Sequence, residues 1–296
     1  MKKLIRHYVW MLVKHVLDRM QLSSLPYPAF AARQTGIRRH ISELKHELAH
    51  IAPQHPALRG FKVYSQADED GIIDYLLSRL PEGMATRKFI EIGCGDGLEN
   101  NSHYLLLQGY SGVWVDGSAE NIARIRSQLG DFDGKRLLVA SSFIDLDNID
   151  ALTAEWVAFL GGAELDFLSV DIDGNDAYIV AAMLRQVQPR LVCVEYNAKF
   201  PPSLAINTAY DKQRAWSGDD YHGASLRHFC DMLGGYTLVA CCLAGTNAFF
   251  VRNDLAPLYP RHSVDVLYQP FRAELCLLQP GHPASLAWLR DALRPD

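Results

Sequence analysis

Three closely spaced glycines and one aspartate further along the chain are the residues best suited to hold a ligand. Gly93, Gly95 and Gly97 follow an apolar run in "EIGCGDG", and Asp116 ends the next apolar run in "VWVDGS". Glycines in such a bend permit positive φ and let a ligand approach the backbone without meeting a Cβ atom. In open parallel sheets ligands lie beyond the carboxyl ends of strands, where a carboxylate accepts from both ribose hydroxyls. The alternative for Asp116 is a turn residue that caps the following helix.

Glu91 stands directly before this bend, and the spacing of the bend is G-x-G-x-G rather than G-x-G-x-x-G. A carboxylate here attracts a cationic group such as an ammonium more readily than a pyrophosphate. The pattern therefore predicts a nucleoside that carries a charged amino-acid tail.

Carboxylates and one amide follow two further apolar runs. Asp171 and Asp173 lie at the end of "DFLSVDIDGND", and Glu195 and Asn197 lie in "RLVCVEYNAKF". Residues two apart on a strand point the same way, so we expect these four side chains to converge. Oxygen ligands of this kind suit Mg²⁺, Mn²⁺ or Ca²⁺, and they do not suit zinc. The alternative is that Asp173 belongs to a turn and helix cap, while Glu195 and Asn197 bind substrate hydroxyls.

The longest irregular stretch runs from about Ala198 to His222, where a substrate would enter. Long loops in compact domains are often lids or binding loops. His222 is a candidate general base because an imidazole titrates near neutrality, and a surface role is its alternative. Lys199 is a second candidate base or an orienting donor, and Asp171 is a third candidate catalytic residue. Aromatic side chains on the loop either stack on a sugar or pack the loop itself: Tyr210, Trp216 and Tyr221.

Alternating strands and helices must position these residues. The predicted strands are Lys88–Gly93, Gly112–Asp116, Arg136–Ala140, Asp166–Asp171, Arg190–Glu195, Tyr236–Cys242 and Ala248–Arg252. The predicted helices are Asp68–Leu80, Asn100–Gln108, Ala119–Leu129, Ile149–Leu160, Asp176–Val187 and Ala224–Leu233. Continuous apolar strands separated by helices predict a doubly wound, parallel α/β sheet. The short link "LAGTN" leaves no room for a helix, so the last two strands must form an antiparallel hairpin.

In these features the chain resembles the class I S-adenosylmethionine-dependent methyltransferases. The resemblance rests on "EIGCGDG", "VWVDGS" and "YTLVACCLAGTNAFFVR", and it covers roughly Tyr64 to Leu255. It implies a seven-stranded Rossmann-like sheet whose last strand is antiparallel. It also implies that S-adenosylmethionine contacts Glu91, Gly93, Gly95 and Asp116.

The segment "YSQADEDGIIDYLL" resembles the FkbM-like subgroup, whose members methylate hydroxyls. That resemblance implies that Gln66 and Asp70 lie near the cofactor, and that Ser142 and Phe143 flank the adenine. The alternative for Gln66 and Asp70 is a helix start with acidic residues in its first turn. Metal-dependent O-methyltransferases also carry acidic and amide ligands after the fourth and fifth strands, although adjacent Asp-Asn is common there and this chain has Glu-x-Asn.

We therefore expect an O-methyltransferase that acts on a hydroxyl of a saccharide or related natural product. Mg²⁺ or Mn²⁺ is the expected cation, since a divalent ion lowers the pKa of a bound hydroxyl. A non-catalytic member of the same fold, acting as a binding or scaffold protein, is the alternative of a different class. A nicotinamide-dependent dehydrogenase is a weaker alternative, because it predicts G-x-G-x-x-G and no terminal hairpin.

Three regions are expected: an N-terminal helical extension (1–57), the methyltransferase domain (58–260) and a C-terminal extension (261–296) with a last helix near Ala284–Leu293. The chain of 296 residues has a net charge of −5, which does not favour nucleic acid as a partner. Its six cysteines include no C-x-x-C pair and indicate a reducing compartment, so we expect a cytoplasmic protein. We expect no membrane-spanning helix, because no apolar run reaches about eighteen residues.

Two helices are predicted in the N-terminal extension. The first lies in "MKKLIRHYVWMLVKHVLDRM", which is basic and amphipathic, so it either contacts a membrane surface peripherally or packs on the domain. "SSLPYP" ends it, and the second helix lies in "GIRRHISELKHELAHI". The seam of the second helix either forms a homo-oligomer contact or packs on the domain, and its shortness favours packing: Ile37, Ile41, Leu44, Leu48 and Ile51.

Overall fold

The seven predicted strands form one sheet in the computed structural model, which describes residues 27–130, 132 and 134–294. The strands are β1 (Lys88–Ile92), β2 (Ser111–Asp116), β3 (Leu137–Ser141), β4 (Glu164–Val170), β5 (Gln188–Glu195), β6 (Tyr236–Cys241) and β7 (Asn247–Arg252). Their spatial order is β3-β2-β1-β4-β5-β7-β6. Strands β1 to β5 pair in parallel, whereas β7 is antiparallel to both β5 and β6. The predicted doubly wound, Rossmann-like α/β fold with a terminal antiparallel hairpin is confirmed.

The helices of the described residues mostly follow the predicted ones. They are α1 (Tyr27–Ile51), α2 (Glu69–Ser78), α3 (His103–Leu107), α4 (Ala119–Leu129), α5 (Ile149–Leu160), α6 (Asp176–Met183), α7 (Leu226–Met232), α8 (Val264–Leu267) and α9 (Ala287–Ala292). Helices α4 and α5 have the predicted bounds. Each ends at a glycine with positive φ, Gly130 at 65° and Gly161 at 67°, and Gly161 has the left-handed conformation that commonly stops a helix.

The starts of α1 and α3 differ from the prediction. Helix α1 includes Tyr27, which is the first described residue, and therefore extends before the predicted "GIRRH" start. Helix α3 begins at His103 rather than Asn100. The backbone N–H groups of Asn101 and Ser102 donate to the Glu91 carboxylate instead, which holds this stretch outside the helix.

The sheet is covered on both faces, which explains why its strands are continuous apolar runs. Neighbouring residues of one strand belong to opposite clusters: Phe89 of β1 packs in one and Ile90 in the other, and both are fully buried. Trp114 of β2 lies on the same side as Phe89. Between β1 and β4 the order of strand addition reverses, and such a reversal opens a crevice beyond the carboxyl ends of the strands.

The predicted seam of the second helix packs on the domain. Ile37 and Leu48 of α1 are buried in the first cluster, with Ile41 and Leu44 partly buried against it. Ile51, by contrast, is 70 % exposed. A homo-oligomer contact through α1 stays a prediction, as do the boundaries 1–57, 58–260 and 261–296.

The first predicted helix, in residues 1–20, lies outside the described residues, and its peripheral membrane contact stays a prediction. No helix in the part of the chain that the structure describes is long and apolar enough to cross a bilayer.

Candidate functional site

The glycine bend and the strand-end aspartate meet at the carboxyl edge of the sheet. The N–H of Gly95 donates to Asp116 Oδ2 at 2.9 Å. The other oxygen, Asp116 Oδ1, accepts from the Ser118 N–H at 2.7 Å and from Asn121 Nδ2 at 3.3 Å. Burial raises the pKa of Asp116, and these hydrogen bonds oppose that rise. Asp116 therefore shapes the turn before α4, as the alternative interpretation has it, and also faces the bend.

The three glycines of the bend all have positive φ, but they differ in what an added Cβ would meet. A Cβ on Gly93 would lie 1.7 Å from the carbonyl oxygen of Asp171, so the end of β4 requires glycine there. A Cβ on Gly97 would lie 2.9 Å from the Trp114 ring. A Cβ on Gly95 would meet no described atom within 4 Å. Gly95 is therefore the glycine whose open side gives a ligand access to the backbone.

Glu91 lies beneath this bend and is only 3 % exposed. Its Oε1 accepts from the Asn101 N–H at 2.7 Å, and its Oε2 accepts from the Ser102 N–H at 3.1 Å and from the Ser102 hydroxyl. Burial raises the pKa of Glu91 to about 7, although these hydrogen bonds lower it. Glu91 thus anchors the chain entering α3, and its attraction for a ligand ammonium stays a prediction.

A polar cavity of about 70 Å³ opens beside the bend. Four predicted site residues line it, namely Gln66, Glu91, Gly93 and Asp171, together with four that sequence reasoning missed: Glu99, Asn100, Asn101 and Asn247. Asn100 is 6 % exposed, and neither atom of its side-chain amide has a hydrogen-bond partner among the described residues. Buried polar groups are nearly always hydrogen-bonded, so this amide is suited to a bound molecule.

The other predicted cofactor residues fall into two groups. Ser142 and Phe143 follow β3 and lie beside Asp116. The Ser142 N–H donates to the Asp116 carbonyl at 3.1 Å, and Phe143 is 50 % exposed next to Gly117.

Asp70 is buried, and its Oδ2 accepts from three successive backbone N–H groups, those of residues 63 to 65. Asp70 therefore shapes the turn before α2, and its contact with a cofactor stays a prediction.

Three of the four predicted metal ligands converge. Asp171, Asp173 and Glu195 each offer an oxygen, and these atoms all lie within 4.8 Å of one another. Burial and then the charges of Asp173 and Asp176 raise the pKa of Asp171 well above its ordinary value. Three carboxylates at this spacing form a donor set that fits Mg²⁺ or Mn²⁺.

Asp173 has a φ of 59°, which is unusual for a residue other than glycine and costs on the order of 1–3 kcal/mol. The carboxylate of Asp176 maintains this conformation, because it accepts from the Ile172 and Gly174 N–H groups at 2.8 Å each. The predicted turn therefore exists, although Asn175 at the start of α6 makes no side-chain capping hydrogen bond, and the turn places Asp173 beside Asp171 and Glu195.

Asn197, the fourth predicted ligand, is held by the loop that follows it. Its Nδ2 donates to the carbonyls of Asp220 and His222 at 3.0 Å each, and its Oδ1 accepts from the Lys199 N–H at 3.3 Å. Lys199 pairs with Asp220, and both side chains are more than half exposed. The roles of Asn197 as a metal ligand and of Lys199 as a catalytic group stay predictions.

His222 ends this loop on the side of the carboxylates. Burial lowers the pKa of its imidazole, and the nearby charges of Asp173, Asp219 and Asp220 offset part of that shift. A lowered pKa keeps the ring neutral at pH 7, as a general base requires. The Trp216 ring lies edge-on to it at 5.8 Å.

The same loop reaches back to the segment after β3. Lys212 Nζ lies 3.4 Å from Asp145 Oδ2 and also pairs with Asp147. The Leu146 N–H donates to the Tyr210 hydroxyl at 3.0 Å. The loop therefore spans the carboxyl edge from β5 to the residues that follow β3, and it brings its aromatic side chains to the same edge as the glycine bend.

No protein-family model matches the sequence, and no curated protein does either. Among solved structures the chain is similar to an O-methyltransferase from Bacillus cereus in complex with SAH, at 15 % identity and a TM-score of 0.40, covering 73 % of this chain and 91 % of that one. It is also similar to a TehB-like SAM-dependent methyltransferase from Corynebacterium glutamicum, at 12 % identity and a TM-score of 0.34, covering 73 % and 100 %. The CurJ carbon methyltransferase matches at 14 % identity and a TM-score of 0.41, covering 80 % and 70 %. At these scores nothing about the ligand or reaction of this chain follows from the similarity.

Replacing Glu91 with Gln is expected to change how stability depends on pH. The pKa of Glu91 rises from its ordinary 4.5 to about 7 on folding, so between these values the folded protein binds more protons than the unfolded one. The carboxylate therefore costs stability as the pH rises through this window, by at most about 1.4 kcal/mol per unit. Urea unfolding from pH 4.5 to 7 should show the free energy of unfolding of wild type falling relative to that of Glu91→Gln. Parallel profiles would contradict this assignment.

Proposed function

We propose that the chain is an S-adenosylmethionine-dependent methyltransferase that modifies a hydroxyl. The observation that carries the proposal is the Gly95 N–H donating to Asp116 at 2.9 Å, with the Gly95 side of the bend open. This pairing lies at the carboxyl ends of β1 and β2, next to the reversal of strand order, which is where open α/β sheets bind ligands. The G-x-G-x-G spacing and the antiparallel hairpin favour this class over a dehydrogenase.

The residues around the bend suit the separate parts of such a cofactor. Asp116 is placed to accept from ribose hydroxyls, and the exposed Phe143 ring beside Gly117 offers an apolar face for adenine. At the polar cavity, the Asn100 amide has no partner among the described residues, so its NH₂ group and its carbonyl oxygen can donate to and accept from the amino-acid end. S-adenosylmethionine supplies an electrophilic methyl group, and the chain supplies its orientation toward an acceptor.

The acceptor side of the site favours a hydroxyl on a saccharide or related molecule. The loop from β5 carries Tyr210, Trp216 and Tyr221 among polar side chains, a mixture suited to stacking on sugar rings. His222 lies where burial keeps it neutral, so its imidazole would take the proton of the attacking hydroxyl. A hydroxyl that loses its proton to His222 is a stronger nucleophile toward a methyl group.

A divalent cation is the second part of the proposal. The carboxylates of Asp171, Asp173 and Glu195 fit Mg²⁺ or Mn²⁺ by donor type and spacing. When bound there, such an ion would supply a positive charge that lowers the pKa of the acceptor hydroxyl. The strained backbone of Asp173 supports this role, because strain of this kind concentrates at functional sites.

Replacing Gly95 with Ala should weaken cofactor binding without an equivalent loss of stability. Its Cβ meets no described atom, so the methyl group would intrude on the space proposed for the ligand. The control is Gly83→Ala, which has a similar positive φ of 78° and the same open surroundings, away from the bend. Calorimetry with S-adenosylhomocysteine should show at least about a tenfold rise in Kd for Gly95→Ala only, with similar Tm changes in both variants.

Three results would contradict this proposal. Equal affinity in Gly95→Ala and wild type would remove the bend from the binding site. Absence of S-adenosylmethionine and S-adenosylhomocysteine binding in the intact protein would favour the scaffold alternative. Binding of NAD in their place would favour the dehydrogenase.

For the cation, Asp173→Asn should lower Mn²⁺ affinity by at least about tenfold in a calorimetric or electron paramagnetic resonance titration. Asparagine tolerates positive φ, so the exchange removes a charge while it retains the turn. The matched control is Asp231→Asn, the same change at an exposed position of α7. A wild-type protein that binds no Mn²⁺, or an Asp173→Asn variant that binds it equally well, would refute the cation site.

A further inference from the structure

A second cavity, which we call the apolar pocket, has a volume of about 220 Å³. Its apolar walls come from four parts of the chain: Ile41 of α1, Phe61 and Ala67 before α2, Leu243 after β6, and the C-terminal residues Leu275, Leu278 and Pro280. The two cavities have no lining residue in common. They come closest in sequence at one short segment, where Gln66 lines the polar cavity and the next two residues, Ala67 and Asp68, line the apolar pocket.

One carboxylate interrupts the apolar lining. Asp68 is 7 % exposed, and its Oδ1 accepts from the Leu243 N–H at 2.9 Å. Its Oδ2 is buried and has no hydrogen-bond partner among the described residues. That oxygen lies beside Gly60, another residue of the pocket wall, where an added Cβ would be 2.4 Å away. When Asp68 is ionised, its Oδ2 is thus a buried acceptor at the wall of the pocket that lacks a donor among the described residues.

The nearby lysines already donate to other acceptors. Lys45 Nζ donates to the Gly60 carbonyl at 2.6 Å, and Lys62 Nζ donates to the Gln66 carbonyl at 2.7 Å and pairs with Glu99 at 3.2 Å. A buried acceptor without a donor is unfavourable, and a ligand donor would offset that cost. Apolar walls around a single acceptor match an apolar molecule that carries one donor.

We propose that the apolar pocket binds a small neutral molecule with an apolar body and one hydroxyl or amide donor, which donates to Asp68 Oδ2. The volume accommodates a ring of the size of phenol. This binding site is separate from the proposed cofactor site, and the inference does not depend on the methyltransferase proposal.

The test is a titration of the full chain, labelled with ¹³C at its isoleucine and leucine methyl groups, with phenol and with anisole. Anisole has the same ring and oxygen but no donor. Phenol should shift the methyl resonances of Ile41, Leu243 and Leu275, with an affinity about tenfold above that of anisole. In Asp68→Asn the amide nitrogen replaces the free acceptor, so the preference for phenol should fall to about one. The control, Asp231→Asn, should keep the wild-type preference.

Retention of the phenol preference in Asp68→Asn would overturn the proposal, provided that its methyl spectrum shows a folded protein. So would phenol that leaves the pocket methyl groups unshifted in wild type. Shifts confined to isoleucine and leucine methyl groups away from the apolar pocket would overturn it as well.

Discussion

The candidate site depends on one hydrogen bond, from the Gly95 N–H to the Asp116 carboxylate, which joins the bend after β1 to the end of β2. Two parallel strands deliver their carboxyl ends to the same edge, but the chain beyond each strand is free to leave that edge in any direction. The Asp116 carboxylate restrains the chain after both strands: one oxygen accepts from Gly95 after β1, and the other accepts from the Ser118 N–H after β2. A bare backbone and a carboxylate therefore come to lie side by side, and that pairing is what a ribose-bearing ligand requires.

Buried carboxylates perform the same task elsewhere along this edge. Glu91 accepts from the backbone entering α3, Asp70 from the turn before α2, and Asp176 from the loop that carries Asp173. Each carboxylate replaces water for several N–H groups that would otherwise be buried without an acceptor. Burial raises the pKa of all three, so the edge concentrates acidic groups in a region of low solvation. A cationic ligand or a divalent ion is favoured in such surroundings.

Much of the fold could be predicted from the sequence because apolar runs and glycine stops are local signals. The seven-stranded sheet with an antiparallel last strand followed from the resemblance to a known family, and the hairpin from the short link between β6 and β7. Residues such as Asn100 could not be found, because Asn100 is an ordinary polar residue in sequence. Its importance comes from burial, which depends on how Glu91 holds the chain next to it.

Gly93 and Asp70 also show that the role of a site residue cannot be predicted from a sequence motif alone. Both were expected at the cofactor, and a motif alone does not separate a glycine needed by a ligand from one needed by the protein. Only the neighbouring carbonyl of Asp171 reveals that Gly93 is required by packing, whereas Gly95 faces open space. The contacts between the loop after β5 and the segment after β3 could not be predicted from the sequence either, because they join residues far apart in the chain.

A crystal structure of the protein with S-adenosylhomocysteine bound tests the central claim most directly. We expect density for the ribose within hydrogen-bond distance of the Asp116 carboxylate, the backbone at Gly95 in contact with the ligand, and the amino-acid end at the Asn100 amide. Density for the ligand at another place on the chain, with the side of Gly95 left vacant, would contradict it.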